Sequence, residues 1–278
     1  MVVLAGYAAW SGYRHLFGPA PPPPGCQAGT GDQAVPLDTG QAGIAATIAG
    51  VAARHELPRR AVTVAYAAAM QESKLQDLDY GDRDSVGIFQ QRPSQGWGTA
   101  AELTDPVYAT TKFFAALVRV PGYATLPVDA AAQAVQHSAD GSAYAQYAYL
   151  AALLADDFTG AAPHAVSCWY APAAGRADLA GAVRGLAGTF GDQGRTAVLV
   201  RVTTGRSGQD NGGSVADVHA QPDAAWTVAS WLVTHAQQYG ISEVRYAGYV
   251  WHAADGSMGW QRADARRDGL ADGTVVAG

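Results

Sequence analysis

Residues 61–70 read AVTVAYAAAM, apolar or small on every side of a helix. Such a helix has no face to give to water, so it must run through the middle of a fold with other elements packed around it. It starts after Leu57-Pro58, with Pro58 suited to the first helical position, and it runs out into Gln71-Glu72-Ser73-Lys74-Leu75. Whatever else the chain builds must surround this segment and hold Glu72 where the helix emerges.

Other segments supply the surroundings. Ile44, Ile48 and Val51 recur at helical spacing, which predicts a helix over 41–54 after the turn-forming Asp38, Thr39 and Gly40. Asp105-Pro106 opens another, with Val107, Tyr108, Thr111, Phe114, Ala115 and Val118 on its apolar side, and Pro121-Gly122 ends it. Residues 127–137 and 142–154 complete an all-helical unit. Beyond an Ala- and Pro-rich stretch at 161–175 the character changes. Residues 196–203 (TAVLVRVT) and 244–250 (VRYAGYV) are strand-like runs flanking a helix at 223–239, and 176–186 predicts one more helix. The fold class expected is α+β: a mainly α-helical domain over 26–168, then a small α/β domain over 169–278.

Two domains suit 278 residues, and a 49% hydrophobic fraction supports a sizeable core. The net charge is −6 and no run of Lys and Arg makes a basic face, which excludes nucleic acid as a partner. Residues 1–10 (MVVLAGYAAW) are apolar but shorter than the roughly 20 residues that cross a bilayer. With Pro19 and Pro21 to Pro24 behind them as a stiff spacer, residues 1–25 read as the tail of an export or anchor segment; the alternative is an ordinary buried N-terminal segment. In an exported chain, Cys26 and Cys168 bracketing the helical unit read as a disulfide; the alternative is two unrelated buried thiols.

Glu72 continues the line Val62, Ala65, Ala69. Desolvation and the negative end of the helix dipole both favour the protonated form of a carboxyl placed there. Such a group hands a proton to a leaving oxygen, as glycosidic cleavage requires. The competing role is a structural carboxylate tied to an Arg or to backbone amides.

Glu72-Ser73 at the end of a buried helix, followed by Gly87-Ile88-Phe89-Gln90, resembles the Glu-Ser … Gly-Leu-Met-Gln pattern of soluble lytic transglycosylases and goose-type lysozymes. The wider wording AMQESKLQDLDYGDRDSVGIFQQRPSQGWG resembles an actinobacterial group of exported lysozyme-like proteins. The resemblance covers roughly residues 38–167. It implies a lysozyme-like fold, peptidoglycan glycan strands as substrate, no cofactor and a location outside the cytoplasmic membrane, secreted or anchored there. It also implies Glu72 as sole acid and base, with the substrate's own C6 hydroxyl attacking to give a 1,6-anhydro sugar. Ser73 and Gln90 would orient the glutamate or the sugar, Phe89 would form part of the cleft wall, and Gln91, Arg92 and Trp97 would contact sugars; the alternative for Phe89 and Trp97 is ordinary core packing.

Two features depart from the pattern. The family's Ala-Tyr-Asn segment, whose tyrosine supports the glutamate, falls near Gln133-Ala134-Val135-Gln136. Either Gln136 or Tyr108 then substitutes, or turnover is weakened and the chain is a peptidoglycan-binding or scaffolding protein. The loop with Asp77, Asp79, Asp82 and Asp84 is also unusually acidic. Asp84 is the candidate second carboxylate for a hydrolase, against a solvated loop with local turn bonds. The histidines lack metal spacing, so no metal site is expected. Residues 214–219 (SVADVH) resemble part of the zinc D,D-peptidase pattern without its first histidine. The second unit is therefore expected to be a non-catalytic accessory domain, with Trp226, Trp231, Trp251 and Trp260 in its core.

Overall fold

The computed structural model describes residues 22–138, 141–171, 177–191, 198–201, 216–221, 224–263 and 274–278. The apolar run at 1–10, the spacer up to Pro21, Ser214 and residues 208–211 lie outside the described residues. In chain order come β1 (Gly25–Ala28), β2 (Val35–Leu37), α1 (Thr39–Arg54), α2 (Arg59–Ser73), α3 (Pro106–Leu117), α4 (Val128–Gln136) and a 3-10 helix, Gly141–Tyr147. There follow α5 (Ala148–Phe158), β3 (Ser167–Trp169), α6 (Leu179–Phe190), β4 (Val198–Arg201), β5 (Ala216–Ala220) and α7 (Ala225–Thr234). The last strands are β6 (Glu243–Tyr246), β7 (Tyr249–His252), β8 (Gln261–Arg262) and β9 (Thr274–Ala277). The protein is mixed α+β and mainly helical.

α2 is the buried axis, with every residue from Ala61 to Met70 out of solvent. α1, α3, α4 and α5 all pack on it. Its alanines let these neighbours approach closely, and Tyr66, fully buried, donates its hydroxyl to the Ala45 carbonyl at 2.8 Å. Pro58 stands just outside α2 as the N-cap, because its ψ of 155° is extended. α1 begins at Thr39, two residues before the start predicted at 41. Asp38 accepts from the Gln41 amide at 2.7 Å while the Gln41 side chain accepts from the Asp38 amide at 3.0 Å, a reciprocal cap on the first turn.

α1 also faces the other way, against α6 and α7. A Cβ on Gly50 would lie 2.6 Å from the Thr189 methyl, so this glycine sets the close approach of α1 and α6. One buried cluster consequently includes Ile48 and Val64 together with Val228, Trp231 and Val244.

Two antiparallel sheets occur among the described residues, in the orders β2-β1-β3 and β4-β5-β9-β6-β7-β8. The run at 244–250 forms two strands instead of one. Ala247 and Gly248, at φ 50° and 78°, turn it back on itself as a tight hairpin, with Tyr246 opposite Tyr249. In the small sheet Cys26 stands directly opposite Cys168 and the two form a disulfide, S–S 2.03 Å. β3 is held from the other side as well. Trp251 Nε1 donates to the Cys168 carbonyl at 2.9 Å, Trp260 Nε1 donates to the Val166 carbonyl at 2.8 Å, and the Ser167 hydroxyl donates to the Gly256 carbonyl at 2.6 Å. Trp231 and Trp251 are core residues. Trp226 and Trp260 are half-buried in an aromatic cluster with Tyr246, Tyr249 and His164. No helix among the described residues is long and apolar enough to cross a membrane.

Near the end of α5, burial pushes the Asp157 carboxyl up to about 6, above its ordinary 3.8. A raised acid favours folding while it is protonated, and that contribution fades as pH climbs through the folded value. Asp157→Asn is therefore expected to match the parent below about pH 4 apart from a constant offset. Its advantage should grow between about pH 4 and 6 and level off above that at about 2 to 3 kcal/mol. Urea melts across this range measure it. A parallel pair of stability curves would refute the assignment.

Candidate functional site

α2 ends in a left-handed turn. Lys74 and Leu75 have φ of 58° and 59°, and the Leu75 amide reaches back to the Ala69 carbonyl at 3.2 Å while its side chain is buried. That turn places Glu72 at the rim of the helical core, half-buried. Ser73, fully buried on the next step, joins the helix end to the following loop: its hydroxyl lies 2.8 Å from the Ile88 carbonyl and 3.0 Å from that of Ala69. Its role is to pin the loop beside Glu72.

The loop is a narrow hairpin. Val86 and Gln91 pair at its neck, and the Gly87 amide donates to the Leu78 carbonyl at 2.6 Å. Gly87 has φ 77°, and a Cβ there would sit 2.0 Å from the Leu103 carbonyl oxygen, so only glycine fits. Gln90 spends its side chain inside the loop, accepting from the Ser85 hydroxyl at 3.1 Å and donating to the Tyr80 and Gly87 carbonyls at 3.3 and 3.2 Å. Phe89 is fully buried and stacked on Phe113, with centroids 4.4 Å apart. Gln91 is also buried, its amide 3.5 Å from the Ala109 carbonyl. Phe89 and Gln91 thus face the core and form no cleft wall.

Tyr144 is the residue that meets Glu72. Its hydroxyl donates to Glu72 Oε1 at 2.5 Å, and the ring is buried against the core. Burial, then the hydrogen bond to Glu72, raises the phenol well above its ordinary value, with Ser138 pulling the other way. Among the described residues nothing hydrogen-bonds Glu72 Oε2. Gln136 and Tyr108 are elsewhere: Gln136 donates to the Phe89 carbonyl at 2.8 Å, and Tyr108 lies 3.5 Å from the Trp97 carbonyl. The tyrosine bonded to Glu72 comes from the 3-10 helix after α4, and its signal in the sequence is the pair Ala143-Tyr144.

Asp84 is fully engaged. Arg92 Nε donates to its Oδ1 at 2.8 Å, the Ser94 hydroxyl donates to the same oxygen at 3.0 Å, and the Ser94 amide donates to Oδ2 at 2.8 Å. These bonds, the one from Arg92 foremost, hold it down at about 2. Asp77 goes the opposite way, to about 6, through desolvation and then repulsion from Asp105 and Asp79. Trp97 is half-buried and lines a cleft of about 390 Å³ with Ala116, Arg119, Val120, Pro121, Ala134, Val135 and His137. Among the described residues no group of three or more His, Cys, Asp and Glu side chains comes together to hold a metal ion.

No protein-family model matches the chain, and no curated protein matches it.

Proposed function

We propose that the chain is an exported, lysozyme-like protein that cleaves peptidoglycan glycan strands by lytic transglycosylation, with Glu72 as the single acid and base. The observation that carries this reading is the Glu72–Tyr144 pair at the mouth of the buried helix. The phenol fixes one carboxyl oxygen and leaves the other able to carry a proton to a glycosidic oxygen and then to receive one from the sugar's C6 hydroxyl. As the C1–O bond breaks, that C6 oxygen bonds to C1, closing a 1,6-anhydro ring without water. The state of Asp84 favours this over inversion. A carboxylate held near 2 with both oxygens engaged is a poor base for activating water. The Cys26–Cys168 bond supports a location outside the cytoplasm.

Purified protein incubated with peptidoglycan and analysed by mass spectrometry tests the reading. Muropeptides ending in anhydro-sugars are expected; reducing ends would make it a hydrolase, and no release above a blank would remove the enzymatic reading. A binding protein without turnover is the second reading. It draws on Phe89 and Gln91 being buried and Gln90 being bonded within its own loop, which leaves fewer groups to grip a sugar at Glu72. Sedimentation with insoluble peptidoglycan in the absence of product release would favour it.

Tyr144→Phe separates positioning from folding. Loss of one hydrogen bond is expected to cost about 1 kcal/mol of stability. Product release is expected to fall about 10- to 100-fold with little change in KM, because the carboxyl loses its fixed direction. An unchanged kcat would show that Tyr144 does not position Glu72.

A further inference from the structure

The cleft beside Trp97 carries a charge pattern at odds with the rest of this acidic chain. Its charged or titratable lining groups are Arg119 and His137, with no carboxylate among them, and the remaining walls are Trp97, Ala116, Val120, Pro121, Ala134 and Val135. Among the described residues no carboxylate pairs with Arg119 and no hydrogen bond occupies its guanidinium. The cleft is linked to the end of the Glu72 helix through hydrogen bonds of residues that adjoin its lining. Ala134 and Val135 of α4 line it, the next residue, Gln136, grips the Phe89 carbonyl, and Ser73, beside Glu72, grips the preceding Ile88 carbonyl. His137 precedes Ser138, which lies against Tyr144.

We infer that this cleft binds the carboxylate-bearing O-linked substituent of a muramic acid residue (the lactyl ether or the peptide joined to it), with Arg119 taking the carboxylate and Trp97 and Val120 taking the apolar part. The inference rests on the wall-glycan reading and deepens it, because it makes Arg119 the group that distinguishes peptidoglycan from a neutral N-acetylglucosamine polymer. A guanidinium meets a carboxylate through two parallel N–H···O bonds, and its unpaired state here means that no internal partner must first be displaced.

The test is equilibrium binding of the whole chain, by calorimetry, to soluble peptide-bearing glycan oligomers and to chito-oligosaccharides of matched length. The parent is expected to prefer the carboxylated ligand by about tenfold or more, and Arg119→Gln is expected to erase that preference. Arg119 is exposed, so the variant should keep the parent's circular dichroism spectrum. Strands stripped of peptide, in which hydrolysis of the amide frees the lactyl carboxylate, show which charge is accepted: preference retained on them means that the site takes the lactyl carboxylate as well, and preference lost means that it takes the carboxylates of the peptide itself. Equal affinity of the parent for both ligands, or equal weakening of both by Arg119→Gln, overturns the inference and leaves the wall-glycan reading standing. Binding of neither ligand would instead remove that reading.

Discussion

Glu72→Gln is expected to lower product release by about 10²- to 10⁴-fold while leaving the fold intact. The amide is close to isosteric with the carboxyl, and its oxygen still accepts from the Tyr144 hydroxyl that now bonds Oε1 at 2.5 Å. Stability should stay within about 1 kcal/mol, because the side chain is half-buried and keeps that bond. What disappears is the proton: an amide neither donates one to a glycosidic oxygen nor takes one from a sugar hydroxyl. The decisive comparison is kcat on purified peptidoglycan alongside the melting curve. Parent-like turnover in a folded Glu72→Gln protein would dispose of the proposed mechanism, and a folded, inactive variant that still sediments with peptidoglycan would separate binding from cleavage.

Cutting the disulfide should have the largest effect on stability. It joins residues 142 apart, so the chain-entropy argument gives about 5 kcal/mol, with less usually realised. Both sulfurs lie in the core, at 1% and 0% exposure, so removing the link also disturbs packing. The double variant Cys26→Ala/Cys168→Ala is expected to melt about 10 to 15 °C below the parent. Calorimetry with and without a thiol reductant gives the same comparison for the unaltered chain. A shift under about 2 °C would mean that the β1–β3 pairing alone holds the small sheet together.

The buried axis was legible because its signal is local. A segment apolar all round admits one placement, and the surrounding stripes at 41–54 and 106–117 repeat with an unambiguous period. The hairpin at 243–252 was harder, since two short strands and a two-residue turn read as one strand unless Ala247 is known to accept a positive φ. The site divides the same way. Glu72 stands out from its place on the helix, whereas Tyr144 reaches it across a separate 3-10 helix, a contact of long sequence separation that no periodicity announces. Phe89 and Gln91 look like groove residues in the sequence because both types are common there. Their burial depends on where Phe113 and Ala109 lie, which only the tertiary packing decides. For Asp84 the deciding partners were nearby in the chain, but an acidic loop does not show which carboxylate Arg92 will choose.

The position of the disulfide also fixes how the molecule would bear a mechanical load. Tension applied through Pro22–Gly25 and resisted by the C-terminal half enters at Cys26 and crosses the sulfur bridge to Cys168. There Trp251 and Trp260 tie the adjoining backbone to the larger sheet. Residues 27–167, with Glu72, Tyr144 and the cleft, form a closed loop beside this covalent route, joined to the C-terminal half by packing such as that of α1 on α6 and α7. In a chain tethered at one end and gripped at the other, the sulfur bridge therefore takes the pull before the backbone of the helical unit does.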